Sequence, residues 1–322
     1  MLLVVGSLAY DSVETVHGKA EHALGGSATF FSIASSLFLP TSVVGVVGED
    51  FRPSDLERLQ RRNIDTSGVE IAAGHTFRWG GVYSKHFESR TTLFTELNVF
   101  ADFKPKLGPQ HRAAEFLFLG NIHPALQLEV LVQCRSGAGN GPRFVGMDTM
   151  NFWIHGERVL LDRVLAQVDA LFVNDEEAFA LSGCGNILEA ARQIHRMGPS
   201  IVVIKRGEHG AFLFHDGRAL MLPAVLLDRV IDPTGAGDTF AGGFMGYLAS
   251  RGTLDSETLQ GAMVAGTCAA SFAVEDFSVE GIERVGLSDL ARRQMELRAG
   301  MLQVEVDFSR APIHRAASPV IA

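Results

Sequence analysis

Short unbroken apolar runs recur along this chain, each followed by a turn and then by a segment of helical spacing. Leu2-Leu3-Val4-Val5 is the first; Phe116-Leu117-Phe118-Leu119, Ala170-Leu171-Phe172-Val173 and Ile201-Val202-Val203-Ile204 come later. A strand with one wet face alternates apolar and polar residues, so an unbroken run marks a strand covered on both sides. Residues 42–47 and 144–148 read as strands of the same sheet. Residues 28–37, 55–62, 126–134, 160–168, 188–197 and 259–273 read as helices, and Pro40 stops the first of them. This alternation predicts an α/β fold with a central, mostly parallel sheet and helices on its faces.

Residues 74–101 interrupt the alternation. His75 to Tyr83 and Arg90 to Thr95 are rich in β-branched and aromatic residues, with Lys85 to Ser89 as a turn between them. No helix joins them. They predict a small antiparallel insertion, helped by residues 11–23, which reads either as a lid over a site or as an extra edge hairpin.

The chain has 322 residues, is 47% hydrophobic and carries a net charge of −9, enough apolar material for a large core. With no Lys/Arg run, the charge speaks against nucleic acid or an anionic membrane as partner. Cys134, Cys184 and Cys268 are far apart, lack metal-ligand spacing and are odd in number, so they read as reduced thiols of a cytoplasmic protein. Residues 1–6 are apolar but short, unlike a signal peptide. The run 263–274 is too short to span a bilayer and reads as a buried helix. From residue 303 the chain has Pro312, Pro319 and no period, which predicts a domain of residues 1–302 and a C-terminal tail, 303–322.

The chemistry concentrates in Asp232-Pro233-Thr234-Gly235-Ala236-Gly237-Asp238-Thr239-Phe240-Ala241-Gly242-Gly243-Phe244. Pro233, Gly235 and Gly237 make a tight turn; Phe240, Phe244, Tyr247 and Leu248 then share one helical face. A helix start has spare N–H donors and a partial positive charge, and glycines leave those donors unshielded, so the turn suits an anion. A carboxylate at Asp238 would repel a bound phosphate. The conflict resolves if Asp238 meets a substrate hydroxyl while the N–H groups hold a phosphate beside it.

Over its whole length this segment resembles the second signature of the ribokinase-like carbohydrate kinases, the PfkB family. Gly25-Gly26 ahead of a helix is similar to the core of that family's N-terminal signature, and the order of elements agrees from residue 1 to about 300. The resemblance implies a three-layer ribokinase-like fold with a β lid. It implies a kinase, dependent on ATP and Mg2+, that phosphorylates a hydroxymethyl group of a sugar or sugar-like molecule. Asp238 would be the general base, and the N–H groups of Gly235, Ala236, Gly237 and Asp238 the anion hole. Asn174 and Glu177 match the family's Asn-x-x-Glu motif, with Glu177 reaching Mg2+ through water. The same pair also has the spacing of a helix capping box.

The same resemblance places Lys205, Gly207, Gly210 and Thr234 at the nucleotide, and Asp11, Gly25, Gly26 and Asn151 at the acceptor. Asn151 follows Asp148 with one residue more than the Asp-x-Asn of several sugar kinases. Asp232 lies in the region where the family holds a monovalent cation such as K+, and the β lid offers a surface for a homodimer. Two positions depart from the ribokinase pattern: Ala9 and Phe30 each stand where that pattern has Asn. A nucleoside kinase of the adenosine type is therefore the alternative within the same chemistry. Phe30 and Phe31 read either as a wall against a sugar or base or as core. A non-catalytic ligand sensor on this fold would have no need of Asp238. A nicotinamide dehydrogenase is opposed by the lack of GxGxxG after the first strand.

Overall fold

The computed structural model describes residues 1–136 and 141–301. The expected tail lies outside the described residues. The strands, in chain order, are β1 (Leu2–Val5), β2 (Ala9–Thr15), β3 (Gly18–Gly25), β4 (Thr41–Gly48), β5 (Ile64–Ala72), β6 (Phe77–Tyr83), β7 (Arg90–Glu96), β8 (Phe116–Leu119), β9 (Phe144–Asp148), β10 (Ala170–Asn174), β11 (Ile201–Lys205), β12 (Ala211–His215) and β13 (Arg218–Leu222). Nine of them form one sheet in the order β13-β12-β11-β10-β9-β8-β1-β4-β5. It is parallel from β5 across to β11, and β12 and β13 add antiparallel at the edge.

The unbroken apolar runs feed two cores, one on each face. Leu2 and Val4 of β1 enter the first core and Leu3 and Val5 the second. Phe116 and Phe118 of β8 part from Leu117 and Leu119 in the same way. Each such buried side chain contributes about 1.5–3 kcal/mol of transfer free energy, so both faces must stay covered. The helices Ser27–Ser35, Ala236–Arg251 and Ser256–Ala273 cover one face; Pro124–Arg135, Arg158–Leu165, Asp175–Ser182 and Ile187–Met197 cover the other. Phe30 and Phe31 are core, 1% and 0% exposed, and Phe31 stacks on Phe118 at 4.3 Å. No helix among the described residues is long and apolar enough to cross a membrane.

β5 and β13 had no apolar run to announce them. They are the two edge strands, and neither is sealed on both faces. The lid is a four-stranded sheet, β3-β2-β6-β7. Its hairpins β2–β3 and β6–β7 are antiparallel as expected, but the central pair β2–β6 is parallel. The reason is topological: β2 continues from β1 and β6 from β5, and β1 and β5 run the same way in the main sheet.

From β1 the chain builds outward to β4 and β5, then returns to the other side of β1 for β8 and its successors. Such a reversal leaves a crevice at the C-terminal ends of the strands, the usual ligand site of a parallel sheet. Two helices meet there with almost no space between them. A Cβ placed on Gly242, in the helix Ala236–Arg251, would lie 2.2 Å from the carbonyl oxygen of Phe31 in the helix Ser27–Ser35.

Candidate active site

The turn into the helix Ala236–Arg251 is left-handed at Gly235 (φ 74, ψ −1), the helix N-cap, and no side chain caps it. The Phe30 ring lies beneath: a Cβ at residue 235 would be 2.4 Å from it. Gly235 therefore answers both a positive φ and a close ring contact. The Ala236 N–H turns back to the Pro233 carbonyl at 3.2 Å, and the Asp238 N–H serves its own carboxylate. Gly235 and Gly237 are left as the open donors of the turn.

Lys205, at the end of β11, reaches this turn. Its Nζ is 2.8 Å from where a Gly237 Cβ would stand. Burial raises Asp238 above the ordinary carboxylate range, and the Lys205 charge pulls it back. Asp148, the last residue of β9, is raised well above its ordinary value, first by burial and then by the charge of Asp238. The two carboxyls are hydrogen-bonding neighbours, and that bond lowers Asp238 while raising Asp148. Of the two, Asp238 is raised less.

Asn174 closes β10 and starts the next helix with a full capping box. The Glu177 N–H donates to Asn174 Oδ1 at 2.7 Å, and the Asn174 N–H to Glu177 Oε2 at 2.8 Å. Burial raises Glu177, while Lys205 and this N–H lower it. Gly207 and Gly210 shape the turn after β11, where the Arg206 N–H donates to the Gly210 carbonyl at 2.8 Å. A Cβ on Gly210 would stand 2.1 Å from the Leu222 carbonyl oxygen, so the turn itself requires a glycine there.

Asp11, on β2, is 8% exposed and lies flat on the Gly25-Gly26 backbone. A Gly25 Cβ would fall 2.0 Å from its Oδ2, and the Gly26 N–H donates to it. Its pKa is raised to about 7, first by burial, then by Asp232 and, less, by Asp238; the Gly26 bond and Arg90 oppose the shift. Asp11 and Asp238 are thus near enough for the charge of Asp238 to act on Asp11. Asp232 is 1% exposed. Its Oδ1 accepts from the Thr234 N–H at 2.9 Å and its Oδ2 from the Ser278 N–H at 3.4 Å, tying the glycine turn to the loop after the helix Ser256–Ala273.

The lid supplies residues that no motif marked. Trp79 pairs with Asp11 across β2–β6, so both side chains lie on one face. The indole lies over Gly81, whose Cβ would be 2.4 Å from it, and the Arg90 guanidinium sits 5.0 Å above the ring. The Tyr83 hydroxyl meets Thr234 Oγ1 at 3.1 Å, a direct link from lid to glycine turn. Asn151 starts the helix after β9; its Oδ1 is buried without a partner, as is an oxygen of Asp148. Asp148 was findable from the sequence, because a polar residue at the C-terminal end of a parallel strand points to the crevice.

Among the described residues, no group of three or more His, Cys, Asp and Glu could hold a metal directly.

The model of the pfkB family carbohydrate kinases matches residues 1–282. The cytidine kinase of Thermococcus kodakarensis is 32% identical over 260 residues, covering 78% of this chain and 89% of that protein. The fructokinase of Klebsiella pneumoniae is 32% identical over 266 residues, covering 79% of this chain and 86% of that protein. The crystal structure of aminoimidazole riboside kinase from Salmonella enterica, complexed with aminoimidazole riboside and an ATP analog, superposes with a TM-score of 0.71 at 20% identity, covering 91% of this chain and 99% of that one. This likeness of fold, and a family match spanning both the lid and the glycine turn, make the chain a member of the PfkB family of carbohydrate kinases, phosphotransferases that act on a hydroxyl of a sugar or nucleoside.

Proposed function

We propose that this enzyme moves the γ-phosphate of ATP onto a hydroxymethyl group, with Asp238 as base. The observation that carries the reading is that Lys205 and the open glycine donors stand beside Asp238, while Asp11, cradled on the Gly25-Gly26 backbone, is near enough for the Asp238 charge to act on it. Gly235, Gly237 and Lys205 compensate the charge of the transferring group, which is most of what phosphoryl transfer needs. Asp11 accepts hydrogen bonds from two acceptor hydroxyls and so orients the third. Asp238 takes that hydroxyl's proton as the new O–P bond forms and ADP leaves.

Bound Mg2+ would neutralise phosphate charge, held through water by Glu177 and Asn174; the cap uses Oε2 of Glu177. Asp232 would hold K+. Lys205, Gly207, Gly210 and Thr234 would line the nucleotide, and Gly25, Gly26 and Asn151 the acceptor. We take the acceptor to be a nucleoside rather than a free sugar, because the Trp79 indole shares a face with Asp11 and suits a base beyond the ribose. The relative named as a cytidine kinase supports this choice. We also propose a homodimer through the lid, where Leu93 and Phe94 of β7 are 61% and 37% exposed, and a cytoplasmic location that suits the free thiols.

The test is an ADP-release screen over nucleosides and sugars, run on the wild type and on Asp238→Asn. A nucleoside should be turned over best. The variant should keep ATP binding by calorimetry and lose more than about a hundredfold in turnover. Undiminished turnover removes Asp238 from the role of base, and no turnover of any acceptor by the wild type favours the sensor.

A further inference from the structure

Phosphoryl transfer as described has no use for the Asp148 carboxyl, yet that carboxyl sits at its centre. Asp148 ends β9, is 6% exposed and lies against Asp238. Its Oδ1 is buried, and no donor among the described residues reaches it. The polar groups around it give no relief. Gln127 Nε2 is spent on the backbone carbonyls of Gly120 and Asp148, at 3.0 and 3.4 Å. The Asn151 oxygen is itself an acceptor without a partner. The charged groups facing Asp148 are Asp238 from the helix Ala236–Arg251, Lys205 from the end of β11 and Glu177 from the helix Asp175–Ser182. One ammonium cannot keep three crowded carboxyls ionised. A carboxyl oxygen buried without a donor, beside a second carboxyl, is satisfied when one of the two groups keeps its proton and donates it.

We propose that Asp148 is a positioning residue for the transfer: as a neutral acid it donates a hydrogen bond to the Asp238 carboxylate, which keeps that base ionised and turns it toward the acceptor hydroxyl. The proposal rests on Asp238 being the base. The directions of the two shifts agree with it, Asp148 being pushed up by its neighbour and Asp238 drawn down by the shared bond. The pair then titrates as a unit that holds one proton over the working range. During turnover the acceptor's proton goes to Asp238, the O–P bond forms, the bond to the ADP oxygen breaks, and Asp148 keeps the proton it began with.

The experiment is the pH profile of kcat/KM for the acceptor at saturating ATP and Mg2+, for the wild type, Asp148→Asn and Asp148→Ala. Asparagine keeps an N–H to donate and should stay within about threefold of wild type, with the acid limb in place. Alanine should lose about tenfold, and its acid limb should move up by about one pH unit, because Asp238 stays buried without its donor. Asp148→Leu, which leaves less of a cavity, should repeat the alanine result and stands in for it if alanine fails to fold. The proposal is overturned if the asparagine and apolar variants are alike, whether both active or both impaired, or if the apolar variants leave the acid limb unmoved. An active Asp238→Asn enzyme is a separate result that sinks the assignment of the base.

Discussion

Asp11→Asn separates the acceptor reading from a purely structural one, because the Asp11 carboxyl is held where ionising it costs folding energy. Its pKa is about 7 in the folded protein against 3.8 for a free carboxyl. A raised folded pKa means that the native state holds the proton more tightly than the unfolded chain does. The resulting stability is complete below about pH 4 and is lost as pH rises through about 7. About three pKa units correspond to roughly 4 kcal/mol over the whole range, of which some 2.5 kcal/mol falls between about pH 5 and pH 8. For a domain of this size that is about 5 °C in melting temperature. The variant, neutral at both pH values, should lack this component, so the wild-type-minus-variant difference in Tm should fall by about 5 °C from pH 5 to pH 8.

Kinetics should move the other way. Acceptor hydroxyls donate to the ionised carboxylate, so the acceptor KM of the wild type should fall as pH rises through about 7. Asp11→Asn should flatten that dependence and raise the acceptor KM about tenfold or more at pH 8. The KM for ATP should hardly change. Scanning calorimetry and steady-state kinetics on the same two proteins read both effects. A Tm difference that is flat with pH refutes the burial argument. An acceptor KM that stays pH-dependent in Asp11→Asn refutes the assignment of Asp11 to the acceptor.

Gly235→Ala should destabilise by about 1–3 kcal/mol, read as a lower denaturation midpoint, since the new Cβ meets both a positive φ and the Phe30 ring. Glu177→Gln should raise the Mg2+ concentration for half-maximal rate about tenfold while ATP binding without metal is unchanged, as seen in a metal titration. Tyr83→Phe removes the hydroxyl that reaches Thr234 and should raise the acceptor KM by about threefold to tenfold, with a smaller effect on kcat; equal loss in both would place Tyr83 in the transition state instead.

Legibility in the sequence followed physical exposure. β1, β8, β10 and β11 were plain because burial on both faces forces an unbroken apolar run. β5 and β13 were not, because an edge strand makes no such demand. The glycine turn was plain for a different reason: a backbone anion site needs small residues in fixed order, and that order is local in sequence. Trp79, Tyr83 and Arg90 reach the site only because two hairpins from distant parts of the chain pair as β2 and β6. No local pattern records that pairing. Phe30 shows the limit of motif reasoning, since the sequence leaves it as substrate wall or core, and it is core, the floor under Gly235.

The contact between Gly242 and the Phe31 carbonyl has a mechanical consequence. The helix beginning at Ser27 follows the Gly25-Gly26 step that cradles Asp11, and the helix beginning at Ala236 carries the donors proposed for the phosphate. At the Gly242 contact backbone presses on backbone, with no side chain to give way. The spacing between acceptor and phosphoryl group is then built in before either arrives. The β sheet above reaches the same turn through the Tyr83–Thr234 hydrogen bond.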